Sequence, residues 1–169
     1  MDEAERLIEV FRAPATASVA SRLSALMNLE QLGDPRIVRF FLDVLADEHE
    51  PKQVRLHVLK RLRSGHFKPP DRALVAESIL RILSDHSSEC LRAQATLALA
   101  EFTDIDNVPA AVGSLALNPH ESIDLRYSAF TSLQRAGPTT ECVALLRQLS
   151  TDEELGGCAR GVLSSWHLE

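Results

Sequence analysis

Aromatic side chains are scarce in this chain. One tryptophan (Trp166), one tyrosine (Tyr127) and six phenylalanines make up 5% of its 169 residues. A core with so few rings has to be aliphatic, and the dominant Leu and Ala are strong helix formers. Glycines number only seven and lie scattered, so no Gly-rich loop is present to cradle a phosphate. Apolar runs are short, and none approaches the roughly 20 residues a helix needs to cross a bilayer. The opening MDEAERLIEVFRA carries acids where a signal peptide carries basic residues, so a cytoplasmic protein is expected. The three cysteines (Cys90, Cys142, Cys158) are odd in number and form no C-x-x-C pair. They read as buried small hydrophobes in a reducing compartment, with no metal or redox role. Strand patterns are missing too, because β-branched residues never alternate with polar ones for long. Neither H-E-x-x-H nor a G-x-S-x-G elbow occurs, which argues against zinc-protease and serine-nucleophile chemistry.

What is present is a soluble-type balance, 45% hydrophobic and 25% charged, in a chain of the length of one domain or one short array. The net charge of −6 is unevenly spread. Residues 51–72 hold seven cations (Lys52, Arg55, Lys60, Arg61, Arg63, Lys68 and Arg72) against Asp71 alone. A basic belt of this kind is able to attract an acidic surface, or serve as an ordinary solvated helix face.

The chain repeats itself. Arg22, Arg55, Arg92 and Arg126 fall in register at steps of 33, 37 and 34 residues. Three residues after each stands Ala25, Val58, Ala95 or Ala129, and seven after each stands Leu29, Leu62, Leu99 or Leu133. A fifth copy, LGGCARGVL, keeps Leu155, Ala159 and Leu163 but has Gly156 in the arginine's place. An earlier amphipathic segment precedes each copy, ending on Phe11, Leu45, Leu83, Leu117 and Leu149. Each repeat therefore reads as two helices, A then B, joined by a short polar turn. Gly33-Asp34-Pro35 and Gly137-Pro138 are stop-then-start signals, and Pro51, Pro70, Pro109 and Pro119 fall at or near expected helix starts. The expected architecture is all-α: one domain, 1–169, an α-α superhelix of about five repeats near 3–32, 34–64, 69–103, 106–136 and 138–168.

The B-helix segments VRLHVLKRL, LRAQATLAL and LRYSAFTSL carry a V/L-R-x-x-A-x-x-x-L theme. With an acid or amide near the end of helix A (Asp47, Asp85, Asn118), this theme resembles the HEAT-repeat family, including short bacterial HEAT-like repeats grouped with phycobilisome-lyase-like proteins. The resemblance covers essentially the whole chain. Tetratricopeptide repeats have a similar length, but their W-x-x-L-G opening is absent; armadillo-type packing is the nearer competitor.

Helical geometry gives the arginine a role. At about 100° per residue, positions −1, +3, +4 and +7 centre within about 30° of it, so it points to the packed side. A cation there needs partners, and Arg22, Arg55, Arg92 and Arg126 read as a structural ladder between stacked repeats. Asp47, Asp85 and Asn118 are the candidate partners. Positions +1, +2 and +5 then face outward, and the resemblance implies that B helices line a concave side. Leu23, Met27, Leu56, Leu97 and Tyr127 are apolar for such positions, and His57 and Lys60 accompany them. An exposed apolar stripe marks a binding surface, unless curvature lets facing helices bury it.

The expected function is non-catalytic: a protein-interaction or scaffold module that takes an acidic or amphipathic partner helix or peptide on this face, with no cofactor. One alternative is weak nucleic-acid binding through Lys52, Lys60, Arg61, Arg63, Lys68 and Arg72, although only Phe67 supplies an aromatic there. A lyase-like accessory subunit is another. His49, His86 and His120 occupy equivalent turns, two of them in His-Glu pairs. Such pairs are similar to those of HEAT-like di-iron hydroxylases, whose His-Glu follows the repeat arginine; here those positions hold Leu56-His57 and Tyr127-Ser128, so no metal site is expected.

Overall fold

The computed structural model describes residues 1–168; Glu169, the last residue of the domain outlined from sequence, lies outside the described residues. Among the described residues the chain is all-helical, with no strand. The helices are α1 (Glu3–Arg12), α2 (Val19–Gln31), α3 (Arg36–Ala46), α4 (Lys52–Leu62), α5 (Pro69–Leu83), α6 (Glu89–Leu99), α7 (Val108–Leu117), α8 (Ile123–Ala136), α9 (Thr140–Leu149) and α10 (Gly156–Ser165). Odd-numbered helices correspond to the A segments of the sequence repeat and even-numbered ones to the B segments. None is long and apolar enough to cross a membrane.

The sequence outlines one continuous array, whereas the contacts gather into two compact units. One spans Met1–Arg61 and the other starts at Leu62, so the division falls at the end of α4.

In the first unit, Asp2 and Glu5 cap α1 reciprocally, each carboxylate accepting the other's backbone N–H at 2.9–3.0 Å. Helix α1 packs on α2. Its buried Phe11 meets Phe40 of α3 edge-on at 5.3 Å, a favourable ring geometry. Phe41, Val44 and Leu45 of α3, Leu26 and Leu29 of α2, and Val54, Val58 and Leu59 of α4 join it in the core. At the surface, Arg36 closes on Asp34 at 2.6 Å and on Asp2 at 2.8 Å, tying the start of α3 to the start of α1.

In the second unit the helices pack as successive pairs, α5 with α6, α7 with α8 and α9 with α10. Helix α7 touches both α5 and α9, and α6 touches α8. This explains the sequence of α7, VPAAVGSLAL: a helix covered on several sides has no use for a polar stripe. Ser88, Ser122 and Thr139 cap α6, α8 and α9 through side-chain oxygens. Pro138 thus stands before the cap of α9, not inside the helix, and Pro119 lies in the turn four residues ahead of α8.

The segment leading into α5 is fixed by Arg72. Its guanidinium lies over the Phe102 ring at 4.8 Å and bonds the Gly65 carbonyl, the Glu101 carbonyl and the Asp104 carboxylate. Phe67 stacks on Phe102 from 6.2 Å. Gly65 is required here on two counts: its φ is +67°, and a Cβ would come within 2.8 Å of Glu101 Cβ.

Candidate functional site

The B-helix pattern sorts its side chains as helical geometry dictates. Relative to each arginine, position +3 (Ala25, Val58, Ala95, Ala129, Ala159) and position +7 (Leu29, Leu62, Leu99, Leu133, Leu163) are buried in all five repeats. Among the four repeats that keep the arginine, Thr96 is the polar residue at +4. Its hydroxyl donates to the Arg92 carbonyl, and its own carbonyl accepts from Ser132 of α8, both at 2.7 Å, so nothing polar is stranded.

The arginines lie against this core and reach two ways. Nε of Arg55, Arg92 and Arg126 donates to the Leu45, Leu83 and Ala116 carbonyls at 2.8–2.9 Å, capping the last turn of the preceding A helix. The outer nitrogens of Arg22, Arg92 and Arg126 grip an acid in the next repeat's turn. Arg92 holds Glu121 at 2.6 and 2.9 Å. Arg126, 3% exposed, holds Glu154 at 2.8 Å together with Asp152. Arg22 holds Glu50 at 2.5 Å and lies 4.7 Å over the Phe11 ring.

At two of the arginines the acid engaged differs from the one the sequence suggests. Asp47 and Asn118 are not the partners bonded by Arg22 and Arg92. Their oxygens accept the N–H two residues on, at His49 and His120, as Asp85 accepts that of Ser87 and Asp152 that of Glu154. The side chain at this position builds an Asx turn, and Asp152 also reaches Arg126. Glu50 and Glu121, three residues further along each turn, take the ion pair instead. The last repeat replaces the arginine with buried Gly156, whose Cβ would lie 2.7 Å from the Ser150 carbonyl oxygen. Arg160, one helical turn later, donates to that carbonyl.

Two of these glutamates sit in opposite electrostatic settings. The hydrogen bond from Arg92 holds the Glu121 carboxyl below its ordinary range. Burial pushes Glu50 upward despite Arg22, and its second oxygen is buried without a hydrogen-bond partner.

The outward positions are graded. Met27 and Tyr127 are exposed, at 49% and 53%, while Leu23, Leu56, His57 and Leu97 are half-buried and Lys60 is exposed. In the first unit, Leu23 and Met27 of α2 share a face with α4, because His57 Nε2 donates to Glu30 Oε1 at 2.6 Å and Arg61 Nε lies 2.9 Å from Glu30 Oε2. In the second unit, Leu97 of α6 and Tyr127 of α8 lie on helices held in register by Ser122–Glu89, Ser132–Thr96 and Arg135–Glu101 bonds. Glu30 has no place in the repeat theme. Its signal in the sequence is a carboxylate in the last turn of a helix, where the dipole disfavours it unless a cation is near.

The basic belt is partly consumed by the fold. Arg72 is spent on the connection before α5, Arg55 caps α3 and Arg61 pairs with Glu30, while Lys52, Lys60 and Lys68 are exposed and Arg63 half-buried. Cys90 and Cys158 are exposed, correcting their reading as buried hydrophobes; each falls in the first turn of its helix, and only Cys142 is core. His49, His86 and His120 are exposed in their turns, and no group of three or more His, Cys, Asp or Glu among the described residues is placed to hold a metal. No protein-family model matches the chain, and no curated protein matches it.

Proposed function

We propose that this chain is a HEAT-like α-α superhelix of about five repeats, acting as a non-catalytic protein-interaction module in the cytoplasm. Its binding surface is the outer face of the B helices, and its partner is an acidic or amphipathic helix or peptide. The carrying observation is the solvent access of Met27 and Tyr127 and the half-exposure of Leu23, Leu56 and Leu97, large apolar groups at positions a self-contained helix pair would leave polar. The recurrent spacing and the arginine bonds within each unit support the repeat reading.

The test is the double variant Leu56→Ser/Leu97→Ser. It is expected to keep the helical circular-dichroism spectrum and to lose the proteins that the wild-type chain retains in affinity purification from its source cell. Loss of the helical spectrum would instead make these leucines core and remove the reading.

A further inference from the structure

We infer that Glu30 is a built-in stand-in for a partner's carboxylate, and that the α2–α4 face of the first unit takes an acidic amphipathic helix on which such a carboxylate displaces it. The inference rests on the B-helix face being a binding surface.

Two parallel stripes on α4 define the face. Lys52, Leu56 and Lys60 follow one another at i, i+4 and i+8, and Gln53, His57 and Arg61 do so beside them. Lys52, Lys60 and Arg61 are exposed, and Leu56 and His57 half-buried. Across from them Met27 presents an exposed apolar side chain. The whole first unit is nearly balanced, with nine Lys/Arg against ten Asp/Glu, so three permanent cations on one helix face are a local excess. Among the described residues Glu30 is the acid paired with Arg61 on this face. Its two oxygens are divided between His57 and Arg61, and its side chain keeps 19% of its exposure. It stands in the last turn of α2, where its own helix dipole repels it. A carboxylate held there by borrowed cations is replaceable by one carried on a partner, which also brings apolar groups to Met27 and Leu56. Charge complementarity selects the occupant: apolar on one edge to meet Leu56 and Met27, acidic on the other to meet Lys52, Lys60 and Arg61.

The experiment uses the full chain and a fluorescein-labelled synthetic amphipathic helix of leucines and glutamates, with a counterpart carrying glutamine for glutamate, read by anisotropy at low salt. Glu30→Gln is expected to tighten the acidic helix about five- to tenfold and to leave the glutamine helix unchanged. Arg61→Gln is expected to weaken the acidic helix, and in the double variant Glu30→Gln no longer tightens it. Circular dichroism on each variant confirms that the helices persist. Unchanged or weaker binding of the acidic helix by Glu30→Gln overturns the inference, because a purely structural pair between α2 and α4 behaves that way. Equal binding of both helices, abolished by Leu56→Ser, keeps the face and removes the role of Glu30. Failure of both helices to bind the wild type removes the face itself, and preference for a DNA oligonucleotide over either helix reassigns the cations to phosphate.

Discussion

A guanidinium is the side chain that can cap a helix end and grip a carboxylate at once, because its donors fork in a fixed plane. Arg92 uses that fork on the Leu83 carbonyl and both oxygens of Glu121. Arg92→Ala strands a largely buried carboxylate, a change that costs about 3–5 kcal/mol where such pairs are broken. At about 2–4 °C per kcal/mol for a chain of this size, the melting temperature is expected to fall by about 6 °C or more. Arg92→Lys should recover less than half of that, since an ammonium cannot serve carbonyl and carboxylate together. The two glutamates of the rungs make a sharper contrast in pH. Glu121 has its folded pKa depressed, so its contribution is present above its ordinary value of 4.5 and is lost as pH falls through the folded value. Glu50 is raised by burial, so its sign reverses: stability from this group declines as pH rises from 4.5 through its folded value. Glu121→Gln is therefore expected to lower the melting temperature clearly at pH 7 and progressively less as the pH falls below 4.5. Glu50→Gln should leave the pH 7 melting temperature nearly unchanged, and calorimetric scans of both variants across pH check the pair.

At the scale of the helix, α10 carries a direct test of what its glycines do. Gly156 lies against the Ser150 carbonyl, so Gly156→Ala forces backbone apart and should destabilise; Gly161, mid-helix with open space around it, should gain about 0.5–1 kcal/mol as Ala. Denaturant titration of the two variants reads opposite signs, and a matching sign would show that Gly156 has room to give. The helices and their buried faces were legible in the sequence because burial at +3 and +7 follows from periodicity alone. The arginine's inward direction was legible for the same reason. Its partner was not: Asp47 and Glu50 stand three residues apart in one turn, and nothing local says that the first spends its oxygen on the turn itself. Glu30 was missed because its partners lie on another helix, 27 and 31 residues away, outside any motif window. The exposure of Cys90 and Cys158 was illegible because a small residue in a first turn suits either face.

At the scale of the whole molecule, charge decides more than shape. The chain carries −6 overall, and the second unit holds nine Lys/Arg against fourteen Asp/Glu. Arg55, Arg61 and Arg72 are engaged within the protein, which leaves the belt Lys52, Lys60, Lys68 and the half-buried Arg63 for phosphate. A 30-residue-scale DNA duplex is accordingly expected to show no gel retardation even at low salt, where counterion release favours binding most. Retardation there would return nucleic acid to the front.

The rungs also have a direction. Within each unit a guanidinium of one repeat meets an acid of the next: Arg22 is answered by Glu50, Arg92 by Glu121, and Arg126 by Asp152 and Glu154. Within the second unit the joint between repeats is thus a matched plug and socket, and both sockets take the same plug. Excising α7 and α8 as one block would bring the Arg92 plug to the Asp152–Glu154 socket. Whole repeats are on this basis removable parts, whereas a cut through the middle of one leaves two ends that match nothing.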